Sequence, residues 1–138
     1  MESFCLDPAR VRDISGELLD AHGRLQVVPA AVLAETSAEE RMLFCVRHGV
    51  YGLPTAELCD FLGDRIGGRT AIEIGAGTGI LARTLGIAAT DNRQQEDPAI
   101  RAHYQSLGQP TVPYGPDVEK LDAHRAVEQH GPQVVIAC

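Results

Sequence analysis

The sequence predicts an α/β fold built on a parallel sheet, and three observations carry that prediction. The segment Thr70–Leu81 reads as a short apolar strand ending in an acid, then glycines at alternate positions, then a helix start. Apolar runs suited to buried strands recur near 86–92 and 133–138, separated by stretches of helical spacing or by loops. That alternation is the pattern of βαβ units, whose strands lie parallel and are covered on both faces.

Each element has a local reason. Asp7 and Pro8 suit an N-cap and first turn, and Val11, Ile14, Leu18 and Leu19 fall on one face, so a helix is expected until His22-Gly23 stops it. Pro29 opens a short helix through Leu33, and Thr36-Ser37-Ala38-Glu39 reads as a capping box ahead of Met42, Leu43 and Val46. Between Pro54 and the Gly67-Gly68 break, Leu58, Phe61, Leu62 and Ile66 repeat at helical spacing. Ala71, Ile72 and Ile74 form the first strand, and Ile80, Leu81 and Leu85 the helix after it. Gly86–Asn92 reads as a second strand. Asp97-Pro98 then starts a helix carrying Ile100, Tyr104 and Leu107, expected to pack on the sheet and to end at Gly108. Gln109–Asp117, with Pro110, Pro113, Gly115 and Pro116, is a loop by composition. Val118–Leu121 and Gln133–Cys138 supply the third and fourth strands, with a helix beginning near His124 between them. The resulting division is a helical extension over 1–53 and a sheet-based core over 54–138 that stops after the fourth strand.

The glycine loop carries the chemistry. Gly75, Gly77 and Gly79 allow a sharp turn and let backbone approach a ligand with no Cβ in the way. The free N–H groups of the following helix are expected to point back at the crevice. A dinucleotide fingerprint requires glycine at the sixth position counted from Gly75, where Ile80 stands. No Gly-Lys-Ser/Thr run exists, which excludes a P-loop. What remains is Glu73-Ile74-Gly75-Ala76-Gly77-Thr78-Gly79, an acid, a hydrophobe and three alternate glycines.

In that motif the chain resembles the class I, Rossmann-like S-adenosylmethionine-dependent methyltransferases, and the resemblance covers about residues 54–138. Asp91-Asn92 at the end of the second strand matches the family's second cofactor position, where a carboxylate accepts hydrogen bonds from a ribose diol. Asp122-Ala123, after the third strand, matches the position beside the adenine; Asp122 equally suits the cap of the helix near His124. The resemblance implies S-adenosylmethionine as cofactor, held by Glu73, Gly75, Ala76, Gly77, Thr78, Gly79, Asp91, Asn92, Asp122 and Ala123. With right-handed crossovers it also implies strand order 3-2-1-4, with the cofactor at the reversal between strands one and four.

Composition narrows the partners. Nineteen acids against twelve bases give a net charge of −7, Lys120 is the only lysine, and aromatic content is 4%. Nucleic-acid binding relies on positive charge and stacking rings, so the methyl acceptor is expected to be a small molecule or a protein rather than nucleic acid. Cys5, Cys45, Cys59 and Cys138 are scattered without a Cys-x-x-Cys pair, which suggests free thiols and no metal site. The start of the chain, with Glu2 and Asp7, lacks an apolar run long enough for a signal peptide or membrane span, and a cytoplasmic location is expected.

No catalytic residue is assigned by sequence. Methyl transfer needs alignment above all, and a base only where the nucleophile must lose a proton. His48, His103, His124, His130, Tyr51 and Glu57 are candidates without a supporting motif. In the family, further helices and strands follow the fourth strand. The sequence therefore reads as a truncated protein or a short form that completes its sheet by oligomerisation or with a partner chain along the exposed last strand. The alternative to an enzyme is a module that holds S-adenosylmethionine without turnover.

Overall fold

A computed structural model describes residues 6–138. Four strands, β1 (Ala71–Ile74), β2 (Ala88–Asp91), β3 (Val118–Lys120) and β4 (Val134–Ala137), form one parallel sheet in the order β3-β2-β1-β4. Its register sets Ile72 between Ala88 of β2 and Val135 of β4. The N-terminal part contributes α1 (Ser15–Leu18), α2 (Ala30–Ala34), α3 (Ala38–His48) and α4 (Ala56–Ile66). The crossovers contain α5 (Ile80–Leu85), α6 (Pro98–Ser106) and α7 (Ala123–His130). The chain leaves β1 toward β2 on one side and returns to β4 on the other. Strand ends diverge at such a reversal and leave a crevice at their carboxyl ends.

The α/β class, the strand order and the Rossmann-like architecture agree with the sequence expectation. The two halves of the chain pack against each other through separate hydrophobic clusters. Ile14, Leu18, Leu25, Val28, Phe44 and Val50 form a cluster that reaches Ile80 at the start of α5. Cys59, Ile66, Leu81 and Ile136 form a second, against which Val27 packs. Removing a side chain the size of Phe44 or Ile14 from water contributes about 1.5–3 kcal/mol each. A third cluster, Ala76, Ala82, Ala89 and Val118, is made mostly of alanines because helix and sheet lie very close there. At Gly79 a Cβ would stand 2.8 Å from Cγ2 of Val118, so only glycine lets α5 start there.

Three local expectations are corrected. The helix expected from Asp7 to His22 is a turn at Pro8–Arg10, an irregular stretch and then the single turn of α1. Asp13 captures the N–H of Ser15 at 2.9 Å and begins a new turn, and Leu19 becomes extended because it bridges to Leu25. Ile14 and Leu18 are nonetheless fully buried, so their apolar spacing reported burial rather than a continuous helix. The capping box lies one residue later, with Ser37 and Glu40 exchanging bonds, while the Thr36 hydroxyl donates to Leu33 and closes α2. Finally, α6 buries no residue and lies against a 3₁₀ turn at Gln94–Glu96; Leu107 remains 58% exposed.

Other signals hold. Asp97 caps α6 ahead of Pro98, and Gly67 ends α4 in the left-handed conformation. Cys45, Cys59 and Cys138 are free thiols, and burial pushes the first two above the usual thiol range. Cys5 and Glu2 lie outside the described residues. No described helix is long and apolar enough to cross a membrane, and no cluster of potential metal ligands occurs among the described residues.

Candidate functional site

At the carboxyl ends of β1 and β4 the glycine loop divides one cleft into two compartments. The smaller, about 180 Å³, is walled by Leu53, Pro54, Leu58, Ile80 and Leu81 and contains Glu73, Gly75, Ala76, Gly77 and Thr78. The larger, about 610 Å³, is bordered by Asp91, Asn92, Gln95, Tyr114, Leu121, Asp122 and Ala123. Tyr51, Gly75, Gly77, Val112 and Cys138 border both.

Nine of the ten residues expected from sequence thus meet at one cleft, and Gly79 does not. Its role is the close approach of α5 to Val118. Gly75 is different: φ is +63°, and a Cβ built there would have no heavy atom within 4 Å. Backbone at Gly75 is therefore exposed to whatever occupies the cleft.

The two acids organise this loop from below. Glu73 is 3% exposed, and its Oε2 accepts the N–H of Ala82 at 3.0 Å. Burial pushes its carboxyl up to about 7, against the lowering effect of the Ala82 bond, and the nearby charge of Asp91 adds to the rise. Asp91 Oδ2 accepts the N–H of Gly77 at 3.0 Å, and Oδ1 accepts that of Arg93 at 2.7 Å. The Ala82 bond corrects in part the expectation that the helix amides point freely into the crevice. Glu73 satisfies the third residue of α5, and the Ile80 N–H leans on the Thr78 hydroxyl at 3.4 Å. Carboxylates, with the main chain they hold, line the cleft.

A carboxylate offers about four lone-pair positions, and Asp91 spends one on each oxygen. One per oxygen remains for hydrogen-bond donors in the larger compartment. Asn92 Oδ1 accepts from Gln94 N–H at 3.0 Å and starts the 3₁₀ turn. Asp122 caps α7 through Arg125 N–H at 2.9 Å, so the capping alternative is realised while the residue also borders the cleft.

Other contributors were not legible in sequence. All three tyrosines of the chain converge on Gln95, which is buried. Its Nε2 donates to the hydroxyls of Tyr51 at 3.1 Å and Tyr104 at 3.3 Å, its N–H to Tyr114 at 3.4 Å, and its Oε1 accepts Val112 N–H at 2.8 Å. This hub joins the loop before α4, the 3₁₀ turn, α6 and the proline-rich loop into one roof over the cleft. No periodicity marks it, because each partner belongs to a different segment.

The candidate bases lie elsewhere. His48 bonds the Ser15 hydroxyl at 3.0 Å, His124 faces Glu128, and His130 stands 3.0 Å from Glu119. His103 sits on α6 beside Tyr104. Glu57 accepts the Ala30 N–H at 2.8 Å and thereby starts α2. Of the candidates, only Tyr51 borders the cleft.

Comparison of the chain with protein-family models, with curated proteins and with solved structures finds no match.

Proposed function

We propose that the cleft binds S-adenosylmethionine and that this chain carries the cofactor-binding part of a methyltransferase acting on a small molecule or protein. The observation that supports this most is the bond between Asp91 and Gly77, which sets a carboxylate with one spare acceptor per oxygen directly beside the open glycine backbone. Two acceptors on one rigid group suit the two hydroxyls of a ribose. The larger compartment suits the nucleoside, and the smaller one, next to Glu73, suits the amino-acid end, whose ammonium a carboxylate favours.

When bound, the cofactor would supply a methyl group on a positively charged sulfur, open to displacement by the lone pair of an acceptor. The chain's part is to orient. Asp91 holds the sugar, Gly75 and Gly77 admit the ligand against main chain, and Leu53, Pro54, Leu58 and Leu81 give the smaller compartment an apolar wall. Alignment of this kind supplies most of what such a displacement needs.

A module that binds without turnover is the second reading, favoured by the placement of His48, His124 and His130 in contacts away from the cleft. Calorimetric titration with S-adenosylmethionine and S-adenosylhomocysteine tests the shared claim, and a methyl-transfer assay on candidate acceptors separates the two. Saturable binding of either ligand below millimolar concentration is expected. No heat with either at millimolar concentration would refute both.

A further inference from the structure

We infer that the groove beside the cleft, between α3 and the loop after α6, is a binding site for an uncharged aromatic molecule, with Tyr51 as its hydrogen-bond donor. Only one step rests on the function proposed above: if the cleft carries the methyl donor, the occupant of this groove is the acceptor.

The groove holds about 250 Å³ and is walled by Met42, Cys45, Val46, Val50, Tyr104 and Pro110. Among the described residues no charged side chain borders it, and its polar lining is Gln109 and the two tyrosines, in a chain whose net charge is −7. Met42 and Val46 are 48% and 51% exposed. An apolar wall with few polar groups is the usual make-up of a small-molecule site, and the volume suits a single ring system rather than a peptide or a nucleotide. A methionine thioether and an open tyrosine ring both favour an aromatic occupant.

Hydrogen-bond accounting adds a polar anchor. Val112 N–H fixes the Gln95 amide by occupying Oε1, so both Nε2 hydrogens turn to the tyrosines. The hydroxyls of Tyr51 and Tyr104 lie 3.3 Å apart, and one donates to the other. One hydroxyl hydrogen is then left without a protein acceptor in this set. Either tyrosine can keep that hydrogen; on Tyr51, which is 76% exposed and borders the groove and both compartments of the cleft, it is available where they meet. An occupant with a neutral oxygen or nitrogen acceptor satisfies it.

Acetophenone, which is neutral, aromatic and carries only an acceptor, is the probe, and benzoate is its charged counterpart. Ligand-observed NMR should show saturable binding of acetophenone to the whole chain and much weaker binding of benzoate. Val46→Asp, at an exposed position, should lower acetophenone affinity at least about tenfold, since it leaves a charge beside the ring. Tyr51→Phe should lower it about fivefold, the worth of one hydrogen bond. Titration of Val46→Asp with S-adenosylhomocysteine should match the parent chain and serves as its fold control. Absent acetophenone binding, equal binding by Val46→Asp, equal benzoate binding, or competition with S-adenosylhomocysteine would each overturn the inference. A dimer that Val46→Asp dissociates would assign the groove to a second copy and overturn it as well. Acetophenone binding that responds to both variants without any S-adenosylhomocysteine binding would uphold the groove and refute the cofactor; the reverse pattern would do the opposite.

Discussion

Asp91 at the end of β2 holds the Gly77 amide at 3.0 Å, so the second strand's carboxylate and the first strand's glycine loop move as one unit. Parallel pairing of Ile74 with Thr90 brings the two strand ends level, and that register is what makes the bond possible.

Asp91→Ala should therefore act twice. It removes the acceptors of Gly77 and Arg93 and costs about 1–3 kcal/mol of fold stability. It should also weaken S-adenosylhomocysteine binding by about 1–3 kcal/mol through lost charge-assisted bonds. Chemical denaturation and calorimetry read the two effects separately, and an unchanged affinity would place the sugar elsewhere.

Alanine at two of the glycines should separate binding from folding. Gly75→Ala meets no neighbour, and its cost is the left-handed backbone, about 1–2 kcal/mol, together with lost ligand affinity. Gly79→Ala adds the clash with Val118 and should lose about 1–3 kcal/mol more stability. Thermal melts of both variants give the order directly; a Gly79→Ala protein as stable as Gly75→Ala contradicts the tight packing of α5 on β3.

Glu73 gives the protein a pH dependence of defined sign. Its folded carboxyl titrates near 7 against an ordinary value of 4.5, so the folded state binds the extra proton between those values. Stability is then greatest below about pH 4.5 as far as this group is concerned, and falls as pH rises to about 7 by on the order of 3 kcal/mol. Glu73→Gln should flatten that slope in denaturation curves from pH 5 to 8. A cationic ligand favours the ionised form, so its affinity should rise through the same window.

Gln95→Ala should loosen the roof. The Val112 N–H loses its acceptor, and Tyr51 and Tyr104 lose their common donor, at a cost of about 1–3 kcal/mol. Amide exchange at Val112 should quicken while the sheet amides keep their protection. Equal exchange in parent and variant would mean that the roof is held by packing alone.

Much of this protein was legible as local chemistry. The apolar run at Ala71–Ile74, the alternate glycines and the Asp97-Pro98 start are short-range signals, and each element formed where its residues placed it. The N-terminal stripe misled because Ile14 and Leu18 are buried by Phe44 and Val50, which lets an irregular segment satisfy a helical pattern of hydrophobicity.

Sequence by itself determined the α/β class and the glycine turn after the first strand, because backbone freedom and strand burial act over a few residues at a time; crossover handedness added the strand order, and the family resemblance supplied the expected cleft residues. Tertiary structure alone decided that Gly79 packs rather than faces the cleft, that Glu73 takes the Ala82 amide of α5 and Asp91 the Gly77 amide of the loop, and that three distant tyrosines meet at Gln95. Those outcomes depend on distances between segments far apart in the chain, which local spacing does not encode.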